Sequence, residues 1–198
     1  TLDLGGNTLT CNEFYGIAVN YQISLTIDNG TYVHSHSSTY SHALEAVKAT
    51  NYGPGSTITI GKDAIIKTNH TAVVSQGYCT INVYGEIECG TVGIDGMGPA
   101  NKVNVVGASI KAGSSAISQD PYTTELPQKR EGSTFKIENS TIIAGDESAA
   151  IYLRNNAGTF TDNYELTIKN SQIYGGIGVF VGYTDATIDG ENTKIEFT

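Results

Sequence analysis

A short pattern repeats along the whole sequence. Each copy reads apolar, polar, apolar, any residue, then Asn or Gly, a small or polar residue, and a second apolar stretch. The copies are LDLGGNTL, LTIDNGTYV, ITIGKDAII, INVYGEIEC, VNVVGASIKA, FKIENSTIIA, LTIKNSQIY and ATIDGENTKI. One copy cannot bury its apolar side alone, so the repeats must stack on each other to form a continuous core.

The spacing of the copies predicts a solenoid with inserted loops. The second apolar residues of the copies are Leu4, Ile27, Ile60, Val83, Val105, Ile137, Ile168 and Ile188, at separations of 23, 33, 23, 22, 32, 31 and 20. The basic period is therefore ~20 to 23 residues, with about ten extra residues in three coils. The insertions are predicted near 33–56, 119–133 and 154–164, the second and third leaving from the corner after the third strand.

The copy ELTIKNSQIYGGIGVFVGY shows how one coil turns. Leu166 and Ile168 alternate with polar residues, which is the pattern of a strand with one buried face. Asn170 then favours a sharp turn, because asparagine tolerates the left-handed backbone region. Two more short apolar stretches follow, 172–174 and 179–181, and Gly175 and Gly176 end the first of them. Three strands and three tight corners predict a three-sided coil.

In the first insertion, His42 and the five residues after it fit either a capped helical turn or a third strand.

Short strands of the form L-x-I-x-N-[GS] at this spacing resemble the right-handed parallel β-helix of the pectin-lyase-like superfamily. The corner residues that carry the resemblance are Asn29, Asn139, Asn170, Gly61, Gly85, Gly107 and Gly190. It covers essentially the whole chain and implies an all-β, single-stranded solenoid of roughly seven to eight coils with three short strands each. The general chirality of parallel connections also predicts a right-handed winding.

The same resemblance bears on origin and domain organisation. The opening TLDLGGNTLT is similar to repeats of large bacterial cell-surface proteins, which implies a secreted or cell-surface location. Residues 1–198 are predicted to form a single β-helix domain. Because strand patterns occur at both ends, the domain is expected to be an excerpt of a longer chain with further domains.

Composition disfavours several classes of partner. The chain has 20 acidic and 11 basic residues, a net charge of −9, and no basic stripe with interleaved aromatics. Such a chain repels phosphate backbones and anionic membrane surfaces, so nucleic acid is not an expected partner. No apolar run is long enough to cross a bilayer, so membrane insertion is not expected either.

Three cysteines occupy positions that argue against a disulfide. Cys11 and Cys89 fall in the same slot of the second strand as Ala112, Ala144 and Gly175. That slot is predicted to face inward, where a free cysteine acts as a small apolar residue. Two cysteines three coils apart lie ~14 Å from each other at the usual strand spacing, which is too far for a bridge.

Catalytic signatures of the superfamily are absent from the sequence. The polygalacturonase-like strings N-x-D, D-D, G-H-G and R-I-K do not occur, and neither do the pectate-lyase strings W-x-D-H and R-x-P-x-x-R. The chain has no Trp and only two arginines, Arg130 and Arg154. Whether the protein is an enzyme stays open, with a noncatalytic role favoured.

Charged residues suggest two weaker hypotheses. Three histidines, His34, His36 and His42, have spacings that suit a zinc site, but the inward slot of His34 and the Ser-rich loop around His36 favour structural roles, so no metal or cofactor is expected. Acidic residues of the later insertions could instead line a cleft for glycoside hydrolysis, and a basic residue there could serve a β-elimination. The candidates are Asp95, Asp120, Glu125, Asp162, Lys129 and Arg130.

Tyrosine is the most distinctive feature, with twelve Tyr against five Phe. Several follow the third strand and one lies in the second insertion, namely Tyr21, Tyr52, Tyr78, Tyr164, Tyr183 and Tyr122. Stacked coils could align these rings into a sugar-binding platform. The alternative is that they only stabilise the corner.

Three functions follow from these observations. The first is a noncatalytic segment of a bacterial surface or secreted protein, used for adhesion or contact with a polysaccharide or host glycan. The second is a polysaccharide lyase or glycoside hydrolase acting on an extracellular glycan. The third is a structural spacer.

Overall fold

The protein is described here by a computed structural model covering residues 1–47, 53–120, 132–154, 164–182 and 186–197. All of the secondary structure in these residues is β-strand. In chain order the strands are β1 (Leu2–Asp3), β2 (Thr8–Cys11), β3 (Tyr15–Val19), β4 (Ser24–Asp28), β5 (Gly30–His34), β6 (His42–Ala46), β7 (Thr57–Ile60), β8 (Ala64–Thr68), β9 (Thr71–Ser75), β10 (Thr80–Val83), β11 (Glu86–Cys89), β12 (Ile94–Gly96), β13 (Lys102–Val106), β14 (Ser109–Ala112), β15 (Ile117–Gln119), β16 (Thr134–Glu138), β17 (Thr141–Ile143), β18 (Ala149–Arg154), β19 (Tyr164–Lys169), β20 (Gln172–Gly175), β21 (Ile177–Gly182), β22 (Ala186–Glu191) and β23 (Lys194–Phe197). Within these ranges no helix is long and apolar enough to span a bilayer.

Every third strand belongs to the same sheet, and all neighbouring strands are parallel. The first sheet runs from β1 to β22, the second from β2 to β23 and the third from β3 to β21. Each coil therefore contributes one strand to each sheet. The described residues form seven complete coils and two strands of an eighth. The predicted three-sided parallel β-helix is confirmed.

The core is a set of inward columns that run from coil to coil. In the first sheet, Ile27 lies over Ile60 and Ile60 over Val83. The column continues through Val105, Ile137 and Ile168. All six side chains are fully buried.

Two members of the predicted column are wrong. Leu2, not Leu4, pairs with Ile27, because the turn between β1 and β2 has four residues where the turn between β4 and β5 has one. At the other end Ile188 pairs with Leu166, and Gly190 occupies the position next to Ile168. Because Gly190 has no apolar side chain, counting apolar residues selected Ile188, two positions earlier.

The second sheet confirms the predicted slot for the cysteines. Cys11 pairs with His34, His34 with Thr68, Thr68 with Cys89, and Cys89 with Ala112. All three cysteines of the chain are free, as predicted. Burial raises the pKa of Cys89 to about 12, so its thiol stays protonated and unreactive at neutral pH.

Asparagine makes several of the one- or two-residue corners between the first and second sheets. Asn29, Asn139 and Asn170 have φ values of +52°, +51° and +49°, in the left-handed region that asparagine tolerates. Two of these asparagines are followed by a buried serine, Ser140 or Ser171. The backbone N–H of Ser140 donates to Ser171 Oγ at 3.2 Å, and that of Ala108 donates to Ser140 Oγ at 3.2 Å. Successive coils are thus tied by a serine ladder.

A second buried polar cluster lies at the corner between the third and first sheets. Asn101 Nδ2 donates to the carbonyl of Gly98 at 2.8 Å and to Gln119 Oε1 at 3.1 Å. Gln119 Nε2 donates to the same carbonyl at 2.7 Å, and Ser75 Oγ donates to Asn101 Oδ1 at 2.6 Å. These hydrogen bonds hold the ends of three neighbouring strands of the third sheet, β9, β12 and β15, in register.

Two of the three predicted insertions, the second and the third, leave from the predicted corner. The second and third insertions each separate a third-sheet strand from the next first-sheet strand, because β15 precedes β16 and β18 precedes β19. The first insertion is divided by β6 into residues 35–41 and 47–56. The segment that fitted either a helical turn or a strand is therefore a strand.

We predict that Ser140→Ala lowers the free energy of unfolding by roughly 1–3 kcal/mol, because the buried N–H of Ala108 loses its acceptor. Urea denaturation measures the change. Ser109→Ala is the matched control, since Ser109 is a half-buried serine on the outward side of β14, and its effect should stay within about 0.5 kcal/mol. Equal effects of the two substitutions would contradict the serine ladder.

Candidate functional site

The outward face of the third sheet gathers the most chemically varied side chains of the described residues. Register places the following residues in one outward column: Ala18, Glu45, Val74, Asp95, Ser118, Tyr152 and Phe180. Neighbouring members of such a column lie about 4.8 Å apart along the helix axis. Glu45 and Asp95, two coils apart, are thus separated by about 10 Å at their Cα atoms.

A groove with a volume of about 560 Å³ lies over the first half of this face. We call it the aromatic groove. Its apolar lining comes from Phe14, Tyr15, Tyr40, Val74 and Met97, and its polar lining includes His42, Glu45, Gln76 and Asp95. The volume falls within the range of small-molecule binding sites.

The aromatic rings form a connected group at the mouth of the groove. Phe14 packs edge-on against Tyr15 with ring centroids 4.6 Å apart, and Phe14 also lies 5.4 Å from the ring of His36. Tyr15 is 5.2 Å from His42. Tyr15 is 58% exposed and Tyr40 84% exposed, so both rings are open to solvent.

Glu45 is an ionised carboxylate held in place at the groove wall. His42 Nε2 lies 3.4 Å from Glu45 Oε2, and Gln76 Nε2 donates a hydrogen bond to Glu45 Oε1. The neighbouring His42 holds the pKa of Glu45 below its usual range, against the opposing effect of burial. The contact with Glu45 lacks good hydrogen-bond geometry, so the buried Nε2 of His42 is without a hydrogen-bond partner.

Asp95 has the opposite electrostatic environment. Burial, and to a lesser extent the charge of Asp120, raise its pKa to about 6, while His42 opposes the rise. Asp120 itself lies 3.8 Å from the guanidinium of Arg154. The groove therefore contains one carboxyl group with a lowered pKa and one with a raised pKa.

The histidines do not converge on a metal site. His34 Nε2 lies 2.8 Å from the carbonyl oxygen of Glu13 and its Nδ1 lies 3.4 Å from Thr68 Oγ1. Burial lowers the pKa of His34, which keeps the ring neutral. His36 Nδ1 accepts a hydrogen bond from the backbone of Ser38. Among the residues that the structure covers, no group of three or more His, Cys, Asp or Glu side chains could hold a metal ion.

The acidic candidates are only partly placed. Asp120 lies close enough to Asp95 to raise its pKa, as the sequence suggested for neighbouring coils. Glu125, Lys129, Arg130 and Asp162 lie outside the described residues. Sequence reasoning missed Glu45. The signal was present, because the alternation in HALEA makes Glu45 outward, but its distance from Asp95 required the register.

The predicted tyrosine row divides into different environments. Tyr21 is 49% exposed and Tyr78 is half-buried, both at the corner after the third sheet. Tyr164 is fully buried, packs edge-on against Phe135, and donates a hydrogen bond to the carbonyl of Arg154. It occupies an inward position of β19, so its ring cannot stack on a ligand. Tyr52, Tyr122 and Tyr183 lie outside the described residues.

A second depression, with a volume of about 490 Å³, lies over the second sheet. It is lined by polar and small side chains and contains the ion pair between Lys67 and Glu88, whose charged atoms are 2.6 Å apart. No Phe or Tyr side chain is among its lining residues. The aromatic groove is therefore the better candidate for ligand binding.

Comparison with known proteins gives no match to a family model, to a curated protein or to a solved structure. The chemistry of the groove is thus the basis for a functional interpretation.

We predict that Asp95→Asn increases the free energy of unfolding by roughly 1–3 kcal/mol at pH 8. The folded-state pKa of about 6 exceeds the ordinary value of 3.8, so protonated Asp95 contributes stability below about pH 4 that is lost as pH rises through 6. Asn has no charge to bury. Denaturation from pH 4 to 8 checks this, and a gain that is equal at both extremes would contradict the raised pKa.

Proposed function

We propose that this chain is a noncatalytic β-helix segment of a secreted or cell-surface protein that binds a glycan in the aromatic groove. One observation carries the proposal: the exposed rings of Tyr15 and Tyr40 line the same groove as the hydrogen-bonding side chains of Glu45 and Gln76.

Sugar rings match this combination of surfaces. A pyranose has an apolar C–H face that packs on an aromatic ring, and hydroxyl groups that need hydrogen-bond partners at its edge. Tyr15 and Tyr40 offer the rings, and Glu45 and Gln76 offer acceptors and a donor. Because Glu45 and Gln76 are bonded to each other, they are already ordered before a ligand arrives, which lowers the entropy cost of binding.

Membership of the pectin-lyase-like superfamily is part of the proposal. The three-sided parallel coils and the corner asparagines with positive φ support it. A location outside a bacterial cell and a polysaccharide or host glycan as partner are proposed on the same resemblance. The acidic surface disfavours nucleic acid and anionic membranes.

A glycoside hydrolase is the second candidate, and the opposite pKa shifts of Glu45 and Asp95 favour it. Asp95 would be the acid and Glu45 the base, and their Cα atoms are about 10 Å apart. Inverting enzymes hold the two carboxyl groups themselves about 6.5–9.5 Å apart, which side chains on Cα atoms at this distance can reach. Glu45, however, is occupied by His42 and Gln76. That arrangement suits ligand binding better than activation of water.

We predict that Tyr15→Ala weakens glycan binding about tenfold, because a stacking surface is removed. Glycan-array screening followed by calorimetry on the strongest ligand measures this effect. Tyr21→Ala is the matched control, since Tyr21 is similarly exposed but lies at a different corner. Equal losses in both variants would remove the groove as the site, and a wild-type protein that binds no glycan would support a structural spacer.

We predict that the protein releases no new reducing ends and no unsaturated uronides from the glycans it binds. Incubation at pH 5 to 8 with a reducing-end assay and absorbance detection of unsaturated products tests this. If the wild-type protein releases such products and the Asp95→Asn variant does not, the glycoside hydrolase would replace the noncatalytic binding function as the proposal.

A further inference from the structure

The aromatic groove has a strongly one-sided charge. Glu45 and Asp95 line it, and Asp120 lies close enough to raise the pKa of Asp95. None of the described lining residues is Lys or Arg. The nearest described guanidinium, that of Arg154, is directed to Asp120.

We propose that the groove selects glycans that carry protonated amines, such as de-N-acetylated hexosamine oligosaccharides, over neutral glycans and over uronic-acid polymers. This inference rests on the proposed function and specifies its ligand class.

Attraction for a sugar ammonium comes from two sources in the same groove. An ammonium makes charge-assisted hydrogen bonds to ionised carboxylates such as Glu45. The exposed faces of Tyr15 and Tyr40 also attract cations through the ring quadrupole. A neutral N-acetyl sugar keeps the stacking on these rings but loses both electrostatic contributions.

Uronic acids face the opposite situation. Their carboxylates would approach Glu45 and Asp95, and like charges in a partly desolvated groove are costly. The described lining residues include no Lys or Arg to offset that cost, and His42 is directed to Glu45. The acidic sugars of pectin are therefore poor ligands for this groove.

A histidine also lies at the wall of the groove. The side chain of His42 is nine-tenths buried, and its Nε2 lies 3.4 Å from Glu45 Oε2 without a hydrogen bond of good geometry. This long contact leaves Glu45 able to accept a shorter, charge-assisted hydrogen bond from a ligand ammonium.

Titration calorimetry at pH 6.5 tests the proposal with three hexasaccharides, one of β-1,4-linked glucosamine, one of β-1,4-linked N-acetylglucosamine and one of galacturonate. A substantial fraction of the sugar amines is protonated at this pH, by analogy with the α-amino group, which titrates at about 7.7–8.0. We expect the glucosamine oligomer to bind at least ten times more tightly than its N-acetylated counterpart, and the galacturonate oligomer not to bind.

The double variant Glu45→Gln/Asp95→Asn should lose most of the preference for the glucosamine oligomer over the N-acetylglucosamine oligomer, because the carboxylate contribution is removed while the rings remain. Its unfolding curve verifies that it folds. The charge-matched control is Asp63→Asn/Glu86→Gln, which removes two acidic side chains on other parts of the molecule. The control should keep the tenfold preference.

The outcomes separate the two proposals. Equal affinity of the wild-type protein for the glucosamine and N-acetylglucosamine oligomers overturns the charge selectivity and leaves glycan binding in place. Tighter binding of galacturonate also overturns it. Loss of preference in the control variant shows general attraction of a polycation to an acidic protein, which overturns the assignment to the groove. Absence of binding to any glycan, in this experiment and on the array, overturns both proposals.

Discussion

Each coil depends on the next for both its backbone hydrogen bonds and its core. A single three-sided coil has unpaired N–H and C=O groups on two edges, and its few inward side chains cannot exclude water. Parallel pairing of successive coils satisfies the backbone and stacks like residues into columns, such as Ile27, Ile60 and Val83. Burial of these apolar columns is the dominant stabilising contribution. Additional coils therefore lengthen the β-helix along its axis and do not thicken its core.

Polar residues at the corners decide how the columns align. A one-residue slip between coils would send every inward side chain outward, so the register must be specified. Apolar contacts are not directional, but hydrogen bonds are. The serine ladder of Ser140 and Ser171 and the cluster around Asn101 bind backbone groups of adjacent coils in a single arrangement. Their buried positions make any misaligned pairing leave polar groups unsatisfied.

The same stacking that builds the core creates the candidate site. Outward residues are not constrained by packing, yet register still holds them in line, so that Glu45, Val74 and Asp95 project from consecutive coils. A rigid outward column presents charges at fixed distances. The longer connection of residues 35–41 then adds Tyr40 to the lining of the groove. Binding chemistry is thus added to a repeating scaffold by departures from the repeat.

Much of the fold was readable from the sequence, because period, alternation and corner asparagines are local properties of each repeat. They predicted three strands per coil, the inward slot shared by Cys11 and Cys89, and the corner from which the later insertions leave. The groove was not readable, since Glu45 and Asp95 are 50 positions apart in the chain and meet only through stacking. The buried ring of Tyr164 and the shifted register of Leu2 likewise depend on turn lengths and on which strand face packs inward. Those are decided by contacts between coils, which only the tertiary structure contains.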